Sequence, residues 1–242
     1  MVKKVFAHLL KKENLNIRAN SVAKKSIKEK REEALEILEE AKKLYPWAEC
    51  ALVHKDALQL LVATILSAQC TDERVNKVTE KLFNKYKNID EFTRVSLKEL
   101  GTDIRSTGYY NSKAKYIKGA CKAIIKNHEG KVPDNMEELV KLPGVGRKTA
   151  SVVLGVIYGK AEGVVVDTHV FRISKRLGMS KGNSPEKVER DLMKILPNKY
   201  WIDWADHLIW HGRKVCDARK PLCNICTLEA RCPKVGVKTP SR

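Results

Sequence analysis

The sequence predicts an all-α protein of about ten helices. From about residue 31 onward, apolar residues recur at helical spacing in one segment after another. Residues 56–69 are apolar on almost every side, which is typical of a buried central helix. Residues that favour helix starts precede several of these segments. The sequence lacks the long alternating segments that a β-sheet would require, so a sheet-based fold is not expected.

Several helix starts can be placed from their capping residues. Ser, Thr and Asp side chains accept hydrogen bonds from the free amide groups at a helix start. Ser96 is followed three residues later by Glu99, which is a capping-box pattern. Ser184 is followed by Pro185, a residue that suits the first helical position. Residues 113–128 predict a further amphipathic helix. The predicted caps are Thr71, Ser96, Asp134, Asp167 and Ser184.

Length and charge indicate a globular protein with a polyanionic partner. The chain has 242 residues, 43% of them apolar, which is enough for one large domain or two small ones with a core. The 47 Lys and Arg residues exceed the 29 Asp and Glu residues, and a net charge of +18 opposes compaction unless a polyanion binds. Nucleic acid is therefore the expected partner. Residues 1–30 form a basic N-terminal arm, interpreted as either a solvated tail or a segment that contacts phosphates.

Hydropathy and cysteine content indicate where in the cell the protein is expected. No apolar run approaches the roughly 18 residues that span a bilayer, so no membrane association is expected. The apolar stretch near the N-terminus is too short for a secretory signal. We therefore expect a cytoplasmic protein, associated with the nucleoid if it is prokaryotic, in which cysteines are metal ligands or core residues. Cys50, Cys70 and Cys121 lie in apolar helical contexts and are predicted to be core residues.

A short glycine-rich link, LPGVGR at residues 142–147, joins two helical segments. Two glycines two residues apart predict a tight turn with positive backbone angles. Such a turn presents amide groups beside a helix N-terminus, which makes an anion site, and Arg147 and Lys148 add positive charge. The alternative is an ordinary α-hairpin. We favour a site for a DNA backbone phosphate, which would give affinity without sequence preference.

Lys148 and Asp167 are the candidate catalytic residues. Lys148 lies at a predicted helix start beside Arg147, where positive potential disfavours the ammonium form. A neutral amine is the form that can make a Schiff base. For most lysines in so basic a chain, a solvated charge is the simpler interpretation. Asp167 lies in the segment VDTHVFR at 166–172, and its residue type alone indicates a helix cap.

Four cysteines near the C-terminus follow the spacing C-x6-C-x2-C-x5-C. Four thiolates at this separation can surround one metal ion or one cluster. Structural zinc sites usually have two C-x2-C pairs, whereas only one such pair is present, and the spacing also differs from common ferredoxin patterns. An iron–sulfur cluster, a zinc ion and unligated thiols therefore remain open from the spacing alone. The four residues are Cys216, Cys223, Cys226 and Cys232.

The motif LPGVGRKTA (142–150), the segment VDTHV (166–170) and the cysteine spacing together resemble the endonuclease III family of helix-hairpin-helix DNA glycosylases. The resemblance covers residues 30–234. It implies an all-α fold with two lobes, a six-helix barrel lobe and an iron–sulfur cluster lobe. The expected divisions are a barrel lobe (50–163) containing the helix-hairpin-helix motif (136–159), and a cluster lobe (31–49 and 164–242) containing the [4Fe–4S] loop (216–232).

The resemblance also implies an activity in base excision repair. The chain would be a bifunctional DNA N-glycosylase and abasic-site lyase that removes oxidised pyrimidines. Lys148 would be the Schiff-base nucleophile and Asp167 the essential carboxylate. The four cysteines would bind a [4Fe–4S] cluster. The expected partner is double-stranded DNA with a damaged or abasic site, bound by a monomer.

DNA-contacting residues also follow from the resemblance. Gln69 matches the residue that fills the gap left by a flipped nucleotide. Tyr109 falls where many members have a leucine wedge, and this departure puts the opposite-base preference in doubt. Extruding a nucleotide costs a few kcal/mol of stacking and pairing, so such fillers are needed. The remaining predicted DNA contacts are Leu142, Gly144, Val145, Gly146, Arg147 and His169.

Two other functions would fit parts of this pattern. The first is a monofunctional glycosylase for mismatched adenine or thymine, but those enzymes lack the nucleophilic lysine that Lys148 would supply. The second is a non-catalytic iron–sulfur protein that binds DNA or senses redox state. That alternative would make Lys148 and Asp167 coincidental.

Overall fold

The computed structural model describes residues 25–237, and this range contains eleven α-helices, short 3-10 turns and no β-strand. The predicted all-α fold is confirmed. Most of the predicted basic arm, residues 1–24, lies outside the described residues. The helices are α1 (Ile27–Leu44), α2 (Ala57–Ser67), α3 (Asp72–Lys85), α4 (Ile89–Arg94), α5 (Leu97–Asp103), α6 (Tyr110–His128), α7 (Met136–Leu139), α8 (Arg147–Tyr158), α9 (Thr168–Arg176), α10 (Pro185–Ile195) and α11 (Trp201–Lys214).

The start of α1 shows why a helix begins earlier than expected. Ser26 and Glu29 form a complete capping box, with each side chain bonded to the other residue's backbone amide. The helix therefore begins at Ile27 rather than near residue 31, and residues 27–30 are helical.

One predicted helix cap is wrong. The carboxylate of Asp134 binds Lys160 Nζ at 2.5 Å, and Asn135 caps α7 instead by accepting from the amide of Glu138. Ser96 caps α5, but the Glu99 carboxylate binds a lysine rather than closing a capping box. The predicted caps confirmed by their hydrogen bonds are Thr71, Ser96, Asp167 and Ser184.

The first of two hydrophobic cores is built around α2. Its residues Leu60 to Leu66 are all buried, and the helix packs against α3, α6 and α8. The predicted buried central helix is confirmed. Buried residues of this core run from Leu52 to Leu154 and include Phe92 and Ile117.

The second core joins the two ends of the described chain. Helix α1 packs against α10 and α11, and it contributes Ile37 and Leu38 to a cluster around the fully buried Trp204. The fold therefore has two lobes, each with its own apolar interior. The exact division at residues 50–163 stays a prediction. No helix within residues 25–237 is both long and apolar enough to cross a membrane.

Candidate active site

The 142–147 turn presents its backbone rather than its side chains. The side chains of Leu142 and Val145 are 3% and 5% exposed, so they anchor the turn in the first core. Gly144 has φ of +77°, and a Cβ there would lie 2.5 Å from Cβ of Tyr116. Only glycine fits that position. The expectation of positive angles at both glycines is wrong, because Gly146 has φ of −89° and serves as the N-cap of α8.

The first turn of α8 lacks a side-chain cap. Gly146 offers no oxygen to the amide groups of that turn, and no other described side chain accepts from them. These amides and the helix dipole therefore remain available for an anion. Arg147 is exposed and turns toward the second lobe, where its guanidinium contacts the Glu162 carbonyl oxygen at 3.2 Å and the Glu189 carboxylate at 3.7 Å.

A cleft of about 910 Å³ lies between the two cores, with α2 and α8 on one side and α9 and α11 on the other. Lys148, Asp167, Gln69 and His169 all line this cleft. Lys148 is exposed on the first turn of α8 and makes no hydrogen bond or ion pair within the described part of the chain. Its amine is therefore free to meet a ligand in the cleft. Tyr109 and the turn at 142–147 lie outside the cleft lining.

Asp167 is held in place by the helix that it caps. Its Oδ1 accepts hydrogen bonds from the amides of His169 and Val170, both at 2.8 Å. Oδ2 has no partner among the residues that the structure describes. One oxygen therefore fixes the orientation of the carboxylate, and the other is available to a proton or to a developing positive charge.

His169 packs tightly against α11. A Cβ at Gly212 would come within 2.5 Å of His169 Nδ1, so the glycine permits this close approach. The guanidinium of Arg172 donates to the same Nδ1 at 3.1 Å. Burial lowers the pKa of His169, and the neighbouring Arg172 lowers it further although Asp167 raises it. The ring is therefore a neutral member of the cleft wall.

Gln69 and Tyr109 share an unusual backbone conformation. Their φ angles are +54° and +48°, in the left-handed region that residues other than glycine seldom adopt. Both side chains are exposed, and Tyr109 retains 67% of its accessible surface. Each turn therefore projects a large side chain away from the first core.

The wall of the cleft also contains an acidic group and two thiol groups that the sequence analysis did not place there. Burial raises the pKa of Asp206 to about 7, and the negative charges of Asp203 and Glu49 raise it further. Cys50 and Cys70 line the cleft and are half-buried, and both pack against the edge of the first core, so the prediction that they are core residues holds in part. The corresponding prediction for Cys121 is confirmed, since it is 1% exposed.

The four C-terminal cysteines line one small cavity beside α9 and α11. All four are half-buried and free of disulfides. Nowhere in residues 25–237 do three or more His, Cys, Asp or Glu side chains converge as a single metal ion would require. A cluster distributes its thiolate ligands over several iron atoms, so it needs a wider arrangement of sulfurs than one ion does.

Buried polar residues fix the cysteine loop to the second lobe. The guanidinium of Arg176, 8% exposed, donates to Cys216 Sγ at 3.1 Å and to the Asp217 carbonyl oxygen at 2.6 Å. His211 Nε2 lies 3.6 Å from Cys226 Sγ. Burial lowers the pKa of His211 to about 4, so the ring is neutral near pH 7. The loop is thus anchored through its sulfurs and its backbone.

Two buried polar residues, Lys113 and His211, could have been found from the sequence. Lys113 is 3% exposed and lies in the apolar stripe of α6, one residue before Ala114 and four before Ile117. A lysine in that register is a sign of a buried charge with partners. His211 lies on the apolar face of α11, where a histidine likewise indicates a buried polar group with partners. The role of Arg176 has no comparable sequence sign.

Comparison with known proteins agrees with this arrangement. Residues 62–198 match the family described as the HhH-GPD superfamily base excision DNA repair protein. The chain is 53% identical over 204 residues to endonuclease III of Synechocystis sp., covering 84% of this chain and 93% of that protein. It is 48% identical to endonuclease III of Bacillus subtilis, covering 78% and 86% of the two chains.

A solved structure has the same fold. It is that of a trapped endonuclease III–DNA covalent intermediate in an estranged-adenine complex, and it superposes with a TM-score of 0.79. The two sequences are 45% identical, and the match covers 84% of this chain and 96% of that one. The extent and identity of these matches show that the chain belongs to the endonuclease III family, within the HhH-GPD superfamily of base excision DNA repair proteins.

Proposed function

We propose that this chain is a bifunctional DNA N-glycosylase and abasic-site lyase that removes oxidised pyrimidines. The observation that carries the proposal is the shared cleft of Lys148 and Asp167, in which the lysine amine has no partner in the described chain. The fold alone would also suit a monofunctional enzyme, but an unpaired lysine at this position supplies the nucleophile that the lyase step requires.

The chemistry assigned to Lys148 begins with its neutral amine. The amine nitrogen attacks C1′ of the damaged nucleotide, and the bond from C1′ to the base breaks as the base leaves with the electron pair and takes up a proton. The attached nitrogen loses a proton, and its lone pair then forms an iminium with C1′ as the bond from C1′ to the ring oxygen breaks and that oxygen takes up a proton. Loss of a C2′ proton then expels the 3′ phosphate oxygen by β-elimination, and water releases the lysine.

Asp167 would act in two ways. Its unpartnered Oδ2 can accept a proton from Lys148, or it can stabilise the positive sugar that develops as the base leaves. Its Oδ1 is held by two amides of α9, so the carboxylate needs no reorientation during the reaction. This preorganisation favours the transition state.

DNA would bind across the cleft as a duplex with a damaged or abasic site. The uncapped amides of α8 and the Gly144 turn would receive a backbone phosphate, and the net charge of +18 would add affinity that falls with salt. Gln69 and Tyr109 would fill the space left by the extruded nucleotide, since both side chains are exposed and Gln69 lines the cleft. The monomeric state and a cytoplasmic, nucleoid-associated location stay predictions.

The four cysteines would hold a [4Fe–4S] cluster with a structural role. All four line one cavity, and their spacing is that of the cluster loop implied by the family resemblance. Four thiolate ligands would leave no position for substrate. When bound, the cluster would supply a cross-link between the cysteine loop and the second core.

Replacing Lys148 tests the proposed reaction. Lys148→Gln should keep duplex binding within about tenfold, because it removes one charge, but it should abolish strand cleavage at an abasic site. Borohydride reduces an imine to a stable amine, so it should trap a covalent adduct with the wild type and none with this variant. The readout is the shifted protein–DNA band on a denaturing gel.

Lys122→Gln is the matched control, because Lys122 is exposed on α6 and has no assigned role. It should trap as the wild type does. A wild-type protein that releases the damaged base from a duplex without strand cleavage or a trappable adduct would contradict the proposal in favour of a monofunctional enzyme. Binding with neither base release nor strand cleavage would favour a non-catalytic protein.

A further inference from the structure

We propose that Lys113 is a positioning residue that holds the two exposed turns at Gln69 and Tyr109 at a fixed separation. This inference rests on the proposed function, in which those two side chains replace an extruded nucleotide. Lys113 touches neither the cleft nor the exposed side chains, and it would act only through the backbone of the two turns.

Lys113 has the surroundings of a structural link rather than of a surface charge. It is 3% exposed, and its Nζ donates to the carbonyl oxygens of Leu66 at 2.7 Å and Thr107 at 2.8 Å. No carboxylate contacts it within residues 25–237. Its charge is balanced by carbonyl dipoles, including those at the C-terminal end of α2. Burial lowers the pKa of Lys113, as expected for a charge withdrawn from water.

Each of the two carbonyl groups lies just before one of the exposed turns. Leu66 precedes Gln69 by three residues, and Thr107 precedes Tyr109 by two. Both turns depend on a left-handed residue other than glycine, a conformation that persists only where the surroundings determine it. One ammonium group bonded to both chains is such a determinant.

The link would matter most when the duplex is opened. Two side chains that enter a base stack must keep their separation, and turns ordered before binding lose less entropy on binding. A displacement of about 1 Å in a positioning element can cost about a hundredfold in rate. The effect of Lys113 should therefore depend on whether the DNA has a stack to open.

The test compares duplex with single-stranded substrate. Lys113→Met keeps a long side chain but removes both hydrogen bonds and the charge. Single-turnover cleavage of a duplex with one abasic site should fall by about tenfold or more. Cleavage of the same abasic strand without its complement should stay within about twofold of wild type, because no nucleotide has to be extruded. A loss of general stability would lower both rates.

A second comparison tests whether Lys113 acts through the side chains of Gln69 and Tyr109. In a background carrying Gln69→Ala and Tyr109→Ala, Lys113→Met should cause no further loss on the duplex, since the parts that it positions are gone. Lys113→Gln, which can donate to one carbonyl, should give an intermediate duplex rate. Lys122→Met, exposed on the same helix, should behave as wild type.

Three outcomes would overturn the inference: equal losses on both DNAs, an undiminished effect in the double-alanine background, or unfolding of both Lys113 variants. Failure of the proposed function would be recognised separately. In that case neither the wild type nor any variant at position 113 would give a borohydride-trapped adduct on the abasic duplex.

Discussion

At the scale of single residues, burial decides which charges titrate unusually. Asp206 and Lys113 are both withdrawn from water, but only Lys113 has hydrogen-bond partners in the described chain that stabilise its charged form. The Asp206 carboxyl faces the cleft near other acidic groups, so its neutral form is favoured. Its raised pKa has a direct consequence for stability.

Asp206→Asn should stabilise the protein at alkaline pH. The pKa of Asp206 is about 7 in the folded chain against an ordinary 3.8, so the folded state retains a proton that the unfolded state has lost. Stability from this group is therefore present at low pH and is lost as pH rises toward 7. The full effect is at most about 4 kcal/mol, since each tenfold step in proton affinity is worth about 1.4 kcal/mol.

Thermal or denaturant unfolding across pH measures this effect. The advantage of Asp206→Asn should grow by about 2 kcal/mol or more between about pH 5 and pH 8. Asp90→Asn, at an exposed position on α4, should show no such growth. A difference between Asp206→Asn and wild type that does not vary with pH would count against the raised pKa.

At the scale of elements, the hairpin and α8 combine two glycines with different physical tasks. Gly144 is required by its positive φ and by the contact with Tyr116, whereas Gly146 has ordinary angles and open space around its Cβ position. The task of Gly146 is therefore not conformational. Its lack of a side chain leaves the first amides of α8 uncapped and accessible.

Gly146→Asp should stabilise the helix and weaken DNA binding. The carboxylate would cap the free amides and complement the helix dipole, which should stabilise the fold by about 0.5 kcal/mol. The same oxygen would compete with a phosphate, so affinity for an abasic duplex should fall by about tenfold. Fluorescence anisotropy and thermal unfolding measure the two effects.

Gly146→Ala is the matched control for this substitution. Its methyl group fits the open space but offers no oxygen to the amides. It should therefore bind DNA nearly as wild type does. Equal weakening by both substitutions would indicate a steric effect, and the proposed anion site would lose its support.

At the scale of the whole molecule, a cleft lies between two cores, and the cysteine loop packs against the second core. The second core takes α1 from one end of the described chain and the buried Leu228 from the other. Arg231 binds Glu36 and Glu40 of α1, which brings the loop against the first helix. Loss of a cluster should therefore destabilise the second lobe as a unit.

Cys226→Ser should remove the cluster and lower the stability of the protein. Purified wild type should contain about four iron and four inorganic sulfide per chain. The variant should lose both, and its unfolding midpoint should fall by about 5 °C or more. Cys50→Ser, half-buried in the cleft, should keep its iron. One zinc per chain and no sulfide in the wild type would contradict the proposed cofactor.

Much of the local structure could be predicted because its causes are local. Caps such as Thr71 and Asp167 act within three residues, so their sequence patterns were sufficient. The predicted cap at Asp134 is wrong because a lysine 26 residues away binds its carboxylate, and Asn135 caps the helix instead. The conformation of Gly146 was also missed, since a glycine can serve as a cap without a positive φ.

The sequence by itself determined the helical class; it also predicted the anion-binding turn and, with the family resemblance, the Lys148 and Asp167 pair and the cysteine set. Only the tertiary structure decided that Lys148 and Asp167 share one cleft, that Asp206 lies in its wall, and that Lys113 links two turns. The physical reason is distance along the chain. Capping and helical periodicity act within a few residues, whereas burial and long-range hydrogen bonds exist only after distant segments have packed together.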